Sequence, residues 1–461
     1  MSATQGRFLT GSTMGHVVRM TAAGAFGITF VFAVDAANLV WLSQLGQPQL
    51  VAAIGFAYAI QFFSVSSGVG LMIAATALIS RRIGEGDRDA ARRQAGSALV
   101  TSVLIQGAVA TLIFAFRHDL MAWAGATGET ARLAARYLAM TVFSLVPMAV
   151  GLLASSALKA DGFAAKSMYI TLWSGLFLML IDPFLIFWLG LDGAALGLVL
   201  FRFLLMALAL YYASVQEDLI ARPTKTDIRR CLTPFMALSL PAIATQLATP
   251  AGNYLLTVVM APFGDDAVAA WAVVSRLTVL AFGGIFALSS AIGGIFGQNY
   301  GAGYFPRLRS TYRDALVFCL GYTLVMWALL LAATPLIVRA FGLSGQGADV
   351  LRAFTTVGVG GFVFVGALFV SNAAFNNLGQ PLRATLVGWV KDGALSFPAA
   401  LWLSAGFGAA GVIYGQALAG ALVGGLAALW GWRYVARLGP EAQIVPPAPR
   451  TWPAIDRHRR R

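Results

Sequence analysis

The chain has 461 residues, of which 59% are apolar and only 11% are charged, whereas ordinary soluble proteins carry roughly 25% charged residues. This composition excludes a soluble globular protein and indicates a membrane protein. The 32 Lys and Arg residues outnumber the 19 Asp and Glu residues, giving a net charge of +13. Because an excess of positive charge is also typical of nucleic-acid-binding proteins, the positions of the charges must decide between these classes.

Twelve apolar segments follow one another along the chain, and each is long enough to cross a bilayer, which takes about 20 residues. Short turns rich in Gly, Pro and charged residues separate them. The first 15 residues are polar, so we expect no removable signal peptide. The predicted spans are 17–42, 50–78, 96–116, 134–157, 166–189, 193–213, 232–261, 267–296, 314–338, 353–376, 384–404 and 409–432.

The positive residues are distributed unequally between alternate loops. Twenty-four Lys and Arg residues lie on the side of the N-terminus and five on the other side. Because positive loops are retained in the cytoplasm, we predict a multi-pass protein of the bacterial cytoplasmic (inner) membrane with both termini in the cytoplasm. The basic tail is expected to contact membrane lipid, and we expect no nucleic-acid partner.

The sequence repeats itself when it is shifted by 217 or 218 positions. Each half then contains six spans in the same orientation, which predicts two bundles with a site between them. We predict an all-α fold of twelve transmembrane helices in two pseudo-symmetric six-helix bundles with a central cavity. The predicted lobes are 1–222 and 232–440, joined by a cytoplasmic linker 223–231 and followed by the tail 441–461. The matched positions are Gly46 with Gly264, Gly84-Glu85-Gly86 with Gly301-Ala302-Gly303, Gly162 with Gly379, and, at a shift of 215, Gly193-Ala194-Ala195 with Gly408-Ala409-Ala410.

Two acids inside the predicted spans are candidate sites for proton or cation coupling. A charge near the bilayer centre costs about 3 kcal/mol or more, and a desolvated carboxylate can exchange a proton near neutral pH. Asp35 lies well inside span 1, with Asn38 one helical turn further on, and Asp182 in span 5 precedes the helix-breaking Pro183. The alternatives are a structural carboxylate for Asp35 and a water-facing kink for Asp182.

The other in-span charges have several explanations. Lys391 and Asp392 are adjacent and so point to different faces of a helix; they need not pair, and we favour a structural or interfacial role. Arg202 and Arg276 could each neutralise a carboxylate or extend to the cytoplasmic surface. The candidate cavity or supporting residues are Asn38, Gln61, Arg202, Asn253 and Asn376.

Enzyme signatures are missing from the sequence. There are three histidines, none of them central in a span, and the HExxH, GxSxG and phosphate-loop motifs do not occur. Cys231 and Cys319 lie far apart and outside any metal-binding spacing. We therefore expect no catalytic residue, no metal site and no cofactor, and a transporter that is driven by an ion gradient.

Several short motifs occur in the order found in the multidrug and toxic compound extrusion (MATE) family, which the chain resembles from Val17 to Arg437. The loop after span 8 is the most specific of them. The matching stretches are Ile83-Gly84-Glu85-Gly86-Asp87, Leu158-Lys159-Ala160-Asp161-Gly162, Ile181-Asp182-Pro183-Phe184-Leu185-Ile186-Phe187, Gly193-Ala194-Ala195-Leu196, Gly297-Gln298-Asn299-Tyr300-Gly301-Ala302-Gly303 and Leu378-Gly379-Gln380-Pro381.

This resemblance implies an antiporter that exports amphipathic or cationic small molecules in exchange for protons, or less favourably sodium, by alternating access. It points to the DinF-like branch, whose membrane carboxylates lie in spans 1 and 5 and match Asp35 and Asp182. The second half has Asn253 where the repeat places the counterpart of Asp35, and span 10 has asparagines but no acid. We expect a monomer.

Two departures from the family pattern, Leu178 and Leu198, remove polar residues near Asp182, which favours protons over sodium as the coupling ion. Two other functions stay open. A flippase for lipid-linked oligosaccharides would need a cationic cavity, which Arg202, Arg276 and Lys391 could supply. An integral-membrane transferase is a remote alternative, because no His/Asp or metal constellation is apparent. The sequence does not identify the substrate.

Overall fold

The structure is a computed structural model that describes residues 6–439. Within this range, the side chains of six residues lie outside the described part: Asp35, Ala36, Leu39, Ser43, Pro48 and Ala59. The predicted coupling role of Asp35 and the predicted tail 441–461 therefore concern groups outside the described residues.

Sixteen α-helices account for most of the described residues, among which there is no β-strand. This confirms the all-α prediction. The helices are α1 (Thr13–Ser43), α2 (Pro48–Gly84), α3 (Arg88–Ala115), α4 (Arg117–Trp123), α5 (Gly128–Thr141), α6 (Leu145–Asp161), α7 (Ala164–Leu189), α8 (Leu191–Leu210), α9 (Lys225–Met260), α10 (Asp265–Gly301), α11 (Phe305–Ala340), α12 (Gly345–Ala353), α13 (Val359–Asn377), α14 (Pro381–Trp389), α15 (Ser396–Phe407) and α16 (Ala410–Arg437).

Within the described chain, eleven helical segments are long and apolar enough to cross a membrane. The remaining predicted span is the segment 381–407, in which the π-helical turn Val390–Leu395 separates α14 from α15. A 3-10 turn, Val142–Ser144, joins α5 to α6, and a π-helical turn, Phe354–Gly358, joins α12 to α13. Six of these segments lie in the first half of the described chain and five in the second; with 381–407 as the sixth helical segment of the second half, this agrees with the predicted fold.

The connection between the two halves is shorter than the sequence suggests. Thr224 and Asp227 form a capping box at the start of α9, with each side chain accepting a hydrogen bond from the backbone of the other residue. Most of the predicted linker 223–231 is consequently the first turns of α9, which begins at Lys225.

Consecutive spans run in opposite directions, so their ends lie on two faces of the bundle. We call the face that holds the segment 6–12 the N-terminal face; it also carries the ends of α2, α6, α10 and α16. Arg88 at the start of α3 forms an ion pair of 3.3 Å with Asp161 at the end of α6, and Arg309 in α11 donates to the Leu438 carbonyl oxygen at 3.1 Å. These bonds tie the connections of this face together; we call the other face the opposite face.

The two lobes, α1–α8 and α9–α16, meet mainly along α1, α2, α9 and α10. At the N-terminal face, α2 and α10 approach so closely that a side chain would not fit. A Cβ atom built on Gly84 would lie 2.0 Å from the Gln298 carbonyl oxygen, and one built on Gly301 would lie 2.1 Å from the Arg81 carbonyl oxygen. The contacts are reciprocal, since both pairs of equivalent residues are 217 positions apart.

The pseudo-two-fold axis passes between Ser80 and Gly297. These residues are 217 positions apart and face each other, with Ser80 Oγ at 1.8 Å from a Cβ atom built on Gly297. Equivalent positions can meet in this way only on a two-fold axis. The structure therefore supports a parallel repeat whose halves close on each other at the N-terminal face.

At the opposite face the repeat has a spacing of 218. Gly190 ends α7 with φ 59° and ψ −126°, and Gly408 ends α15 with φ 60° and ψ −147°, a region open to glycine. Gly193 and Gly411 each face a backbone oxygen eight residues earlier, at 1.9 and 2.3 Å from a built Cβ atom. The structural counterpart of Gly193 is thus Gly411, which corrects the sequence match with Gly408.

Candidate functional site

The first candidate site joins α1 to α7 inside the N-terminal lobe. Asn38 Nδ2 donates a hydrogen bond of 2.6 Å to Asp182 Oδ2. Asp182 is only 1% exposed, and α7 continues through Pro183. A water-facing kink is therefore wrong for Asp182, because its carboxylate is buried between helices. The structure brings two sequence-predicted residues together here.

Glycine and leucine shape the surroundings of this carboxylate. A Cβ atom built on Gly197 of α8 would lie 2.0 Å from Asp182 Oδ1, and the Leu178 side chain lies beside the same position, at 3.1 Å. On the other side, a Cβ atom on Gly175 would lie 2.6 Å from the Phe30 ring. Close helix packing therefore holds Asp182 in a buried, largely apolar environment.

The second lobe repeats this packing without the acid. At the spacing of 218, Asp182 corresponds to Ala400 and Gly197 corresponds to Gly415. A Cβ atom built on Gly415 would lie 2.5 Å from Ala400 Cα, which matches the approach of Gly197 to Asp182. The two lobes therefore share the same helix packing at this position, but only the first lobe has a carboxylate there.

A second polar cluster lies in the core of the N-terminal lobe. Arg202 of α8 is 4% exposed and donates to Ser144 Oγ at 2.8 Å and to Gln61 Oε1 at 2.9 Å. Gln61 Nε2 in turn donates to Thr141 Oγ1 at 2.6 Å. The expectation that Arg202 extends to the cytoplasmic surface is wrong, because its guanidinium is buried where α8, α2 and the α5–α6 junction meet.

A third cluster pairs two residues for which the sequence gave no reason to pair. Lys391 Nζ contacts Asp392 Oδ1 in the π-helical turn of the segment 381–407, and both side chains are nearly fully buried. Thr249 of α9 donates to Asp392 Oδ2 at 3.1 Å. Adjacent residues start on different helix faces, but the flexible four-carbon stem of lysine allows the ammonium to bend back. The cluster lies in the core of the second lobe.

We expect Asp392→Asn to destabilise the protein by about 3–5 kcal/mol, because it leaves Lys391 buried without its counter-charge. The double variant Lys391→Met, Asp392→Asn is expected to recover most of this loss. Thermal unfolding in detergent, followed by tryptophan fluorescence, measures the difference. Asp349→Asn is the matched control, since Asp349 pairs with Arg352 in an exposed position. A double variant that is no more stable than the single variant would contradict this assignment.

The other sequence-predicted residues lie apart from these clusters. Asn253 is exposed on α9, and Asn376 is buried in the last turn of α13. Arg276 is exposed on α10, 25 residues before the end of that helix at the N-terminal face, which corresponds to about 38 Å of helix. Arg276 therefore does not extend to the predicted cytoplasmic surface, contrary to one of the two sequence expectations.

The lobes are locked together at the N-terminal face by residues whose contacts sequence reasoning missed. Gln298 is fully buried; its Nε2 donates to the Ala160 carbonyl oxygen at 2.6 Å, and its Oε1 accepts from the Phe8 backbone N–H at 2.9 Å. Arg307 Nη2 donates to the Phe8 carbonyl oxygen at 2.8 Å. The motif Gly297-Gln298-Asn299 is thus a contact between the lobes and the segment 6–12.

Within the part of the chain that the structure describes, no three His, Cys, Asp or Glu side chains come close enough to hold a metal ion. The polar groups of the three clusters are carboxylates, amides, hydroxyls and cations. Such groups can bind and release protons and bind polar parts of a small molecule, and they offer no activated nucleophile.

The sequence profile of the MatE family matches residues 24–184 and 241–392 of the chain. A FAD transporter from Shewanella oneidensis is 23% identical over 410 residues, with 87% of this chain and 88% of the relative covered. The multidrug export protein MepA from Staphylococcus haemolyticus is 22% identical, with 83% and 85% covered. The crystal structure of an aspartate-to-asparagine mutant of the Vibrio cholerae MATE transporter VcmN superposes with a TM-score of 0.86 at 23% identity, with 92% and 97% covered.

Proposed function

Because the chain belongs to the MatE family of membrane transporters, we propose that it exports amphipathic small molecules, organic cations included, in exchange for protons. It is a transporter and not an enzyme. In this proposal Asp182 and Asp35 bind the coupling protons, and the lobes expose the cargo alternately to the two sides of the bacterial inner membrane. A monomer contains both lobes and is sufficient for this cycle.

The observation that carries the proposal is the hydrogen bond from Asn38 to the buried Asp182. A bond to an ionised carboxylate is about twice as strong as a neutral one, and a buried charge without such a bond is costly. A proton on Asp182 removes the charge and so weakens the bond between α1 and α7. Loss of the proton restores the bond.

Helix α1 can carry this change to the interface between the lobes, because it packs on both of them. Gly24 of α1 meets Ala287 of α10, whose Cβ lies 3.0 Å from a Cβ atom built on Gly24. Thr29 meets Gly283 in the same way, at 3.1 Å. A shift of α1 on α7 therefore also changes its contact with the second lobe, which supports coupling between proton binding and lobe movement.

The direction of transport follows from the predicted orientation. The positive loops support a cytoplasmic position for the N-terminal face, and this is the face where the lobes are closed by Gln298 and Arg307. The cleft between the lobes then opens to the outside, which is the state from which cargo leaves and protons enter. To take up cargo from the cytoplasm, the lobes must close at the opposite face and open at the N-terminal face.

Efflux from reconstituted vesicles tests the coupling ion. Vesicles of neutral lipid are loaded with rhodamine 6G, and the external medium is then acidified at equal sodium, or given high sodium at equal pH. We expect the pH gradient alone to accelerate efflux over that of protein-free vesicles. Equal acceleration by sodium without a pH gradient would contradict proton coupling, although family membership would stand. The apolar residue Leu178 beside Asp182 supports protons, because sodium needs several oxygen ligands.

The flippase alternative receives less support from the positions of the cations. A site for a pyrophosphate-linked lipid requires several positive groups in the cleft, whereas Arg202 and Lys391 are buried inside their lobes. Of the three in-span cations considered, Arg276 alone is exposed. We therefore keep small-molecule export as the proposed function.

A further inference from the structure

Arg276 is exposed on α10, in the part of the helix that precedes its bend. Gly294 follows it by 18 residues and lies in the part that packs on the first lobe. A Cβ atom on Gly294 would lie 2.9 Å from the Lys159 carbonyl oxygen of the first lobe. Between them, α10 bends at Phe282, with φ −107° and ψ 15°.

Helix α10 packs against the first lobe beyond the bend and carries an exposed stripe before it. Toward the N-terminal face, Ala287 and Gly294 pack against the first lobe. Toward the opposite face, α10 has an exposed stripe that consists of Ala269, Ala272, Arg276 and Leu280. The lobes therefore part at the bend, and this exposed stripe is the wall that the second lobe contributes to the cleft.

Helix α2, which is a single helix from Pro48 to Gly84, supplies the facing wall. Phe62 lies 18 residues before Ser80, the residue on the pseudo-two-fold axis, and is therefore five turns above it on the same face. Phe62 and Tyr58 are both exposed, and their ring centroids are 6.0 Å apart. An aromatic pair thus faces the arginine-bearing wall across the cleft.

We expect an arginine on this stripe to face the cleft rather than lipid, because a lipid-facing charge in a span is costly. The antiparallel contacts Gly24–Ala287 and Thr29–Gly283 place Arg276 within one turn of the level of Asn38. The cation therefore lies at the depth of the proposed coupling site, on the other lobe.

The charge of Arg276 is not neutralised by a described partner. It makes no hydrogen bond or ion pair with any residue that the structure describes, and it is not held in a lobe core as Arg202 is. Asp392, the in-span acid of the second lobe, is already paired with Lys391. Among the described residues, the exposed stripe of α10 consequently carries one positive charge and no negative one.

We propose that Arg276 binds the anionic group of an amphipathic aromatic cargo, so that the transporter accepts aromatic carboxylates, phosphates and zwitterions in addition to cations. The planar guanidinium binds carboxylate or phosphate oxygens through two parallel hydrogen bonds. The aromatic pair Tyr58 and Phe62 provides faces on which the rings of the cargo stack. This proposal rests on the proposed function, because it takes the cleft as the path of the cargo.

Two dyes with the same ring system and opposite charge test the proposal without any ion gradient. Fluorescein is an anion and rhodamine 123 a cation at pH 7.5; their binding to the full-length protein in phosphatidylcholine nanodiscs is followed by fluorescence anisotropy. Arg276→Gln is expected to weaken fluorescein binding about ten-fold or more and to leave rhodamine 123 binding unchanged or stronger. Arg276→Lys should retain much of the fluorescein affinity. Arg132→Gln is the control, since Arg132 pairs with Glu129 in an exposed position.

The same assay distinguishes a lipid phosphate from a soluble anion as the bound group. It also distinguishes failure of this proposal from failure of the proposed function. If phosphatidylglycerol nanodiscs abolish fluorescein binding by the unaltered protein, Arg276 binds a lipid phosphate; unchanged binding supports a soluble cargo. Equal fluorescein affinity in Arg276→Gln and the unaltered protein would overturn the proposal, as would equal loss of both dyes. Because no proton gradient is used, a failed coupling experiment would leave this result intact, and the reverse also holds.

Discussion

Asp182→Asn is expected to reduce pH-gradient-driven efflux to the level of protein-free vesicles, while the protein remains folded. Asparagine has the shape of aspartate and can accept the hydrogen bond from Asn38 through its own Oδ1, so the contact between α1 and α7 survives. It cannot exchange a proton, so the contact no longer responds to pH. Efflux of rhodamine 6G from vesicles, together with size-exclusion profiles of the purified variant, measures both effects.

Two further variants separate proton binding from packing at this site. Asn38→Ala keeps the carboxylate and removes its donor, so we expect slower but still pH-driven efflux. Gly197→Ala keeps both and places a Cβ atom 2.0 Å from Asp182 Oδ1, which displaces the carboxylate and should stop coupling. Gly107→Ala is its control, because nothing lies within 4 Å of a Cβ atom built there. Full pH-driven efflux by Asp182→Asn would rule out Asp182 as a coupling group.

Gly301→Ala is expected to prevent the lobes from closing at the N-terminal face. The added Cβ atom would lie 2.1 Å from a backbone oxygen of α2, and overpacking of this kind costs about 1–3 kcal/mol. That cost shifts the balance toward the state open at this face by about 5- to 150-fold. Because the contact is reciprocal, Gly84→Ala should have the same effect, and both variants should lose most of their efflux activity.

Spin labels on exposed residues of the two lobes measure this opening as a distance. Asp89 on α3 and Arg313 on α11 are exposed at the N-terminal face, and the native Cys231 and Cys319 are buried. We expect longer distances in both glycine variants than in the unaltered protein. Gly321→Ala, with open space around it, should leave the distances unchanged. Normal distances and normal efflux in both glycine variants would contradict the proposed closure.

The fold could be predicted from the sequence because its main signals are local. Apolar segments of sufficient length fix the spans, and the repeat of 217 positions relates Gly84 to Gly301. The turns that join two helices within one span could not be predicted in this way. A π-helical turn such as Val390–Leu395 depends on packing against α9, and no local sequence pattern predicts it. For the same reason the pairing of Gly193 with Gly411, rather than with Gly408, required the close contacts of these glycines in the structure.

The candidate site was predicted in part. Asn38 and Asp182 could be chosen as rare polar residues in apolar spans, but their hydrogen bond joins residues 144 positions apart, which only the fold brings together. The pairing of Lys391 with Asp392 was missed for a different reason. The two residues are adjacent in the sequence, but the sequence does not show that the long lysine side chain bends back to the carboxylate. The exposed position of Arg276 could not be found by extending the helical period from Gly294, because α10 bends at Phe282 between the two residues.

The bonds of α11 at the N-terminal face place the first and last described residues close together. Arg307 donates to the Gly11 carbonyl oxygen at 2.9 Å, and two residues later Arg309 donates to the Leu438 carbonyl oxygen at 3.1 Å. The connection 217–224 lies on this same face. A circular permutant, opened in that connection and joined by a short linker from residue 439 to residue 6, would therefore keep every contact between the lobes. In this permutant the second lobe would be synthesised before the first, and the two lobes would still move relative to each other in the same way.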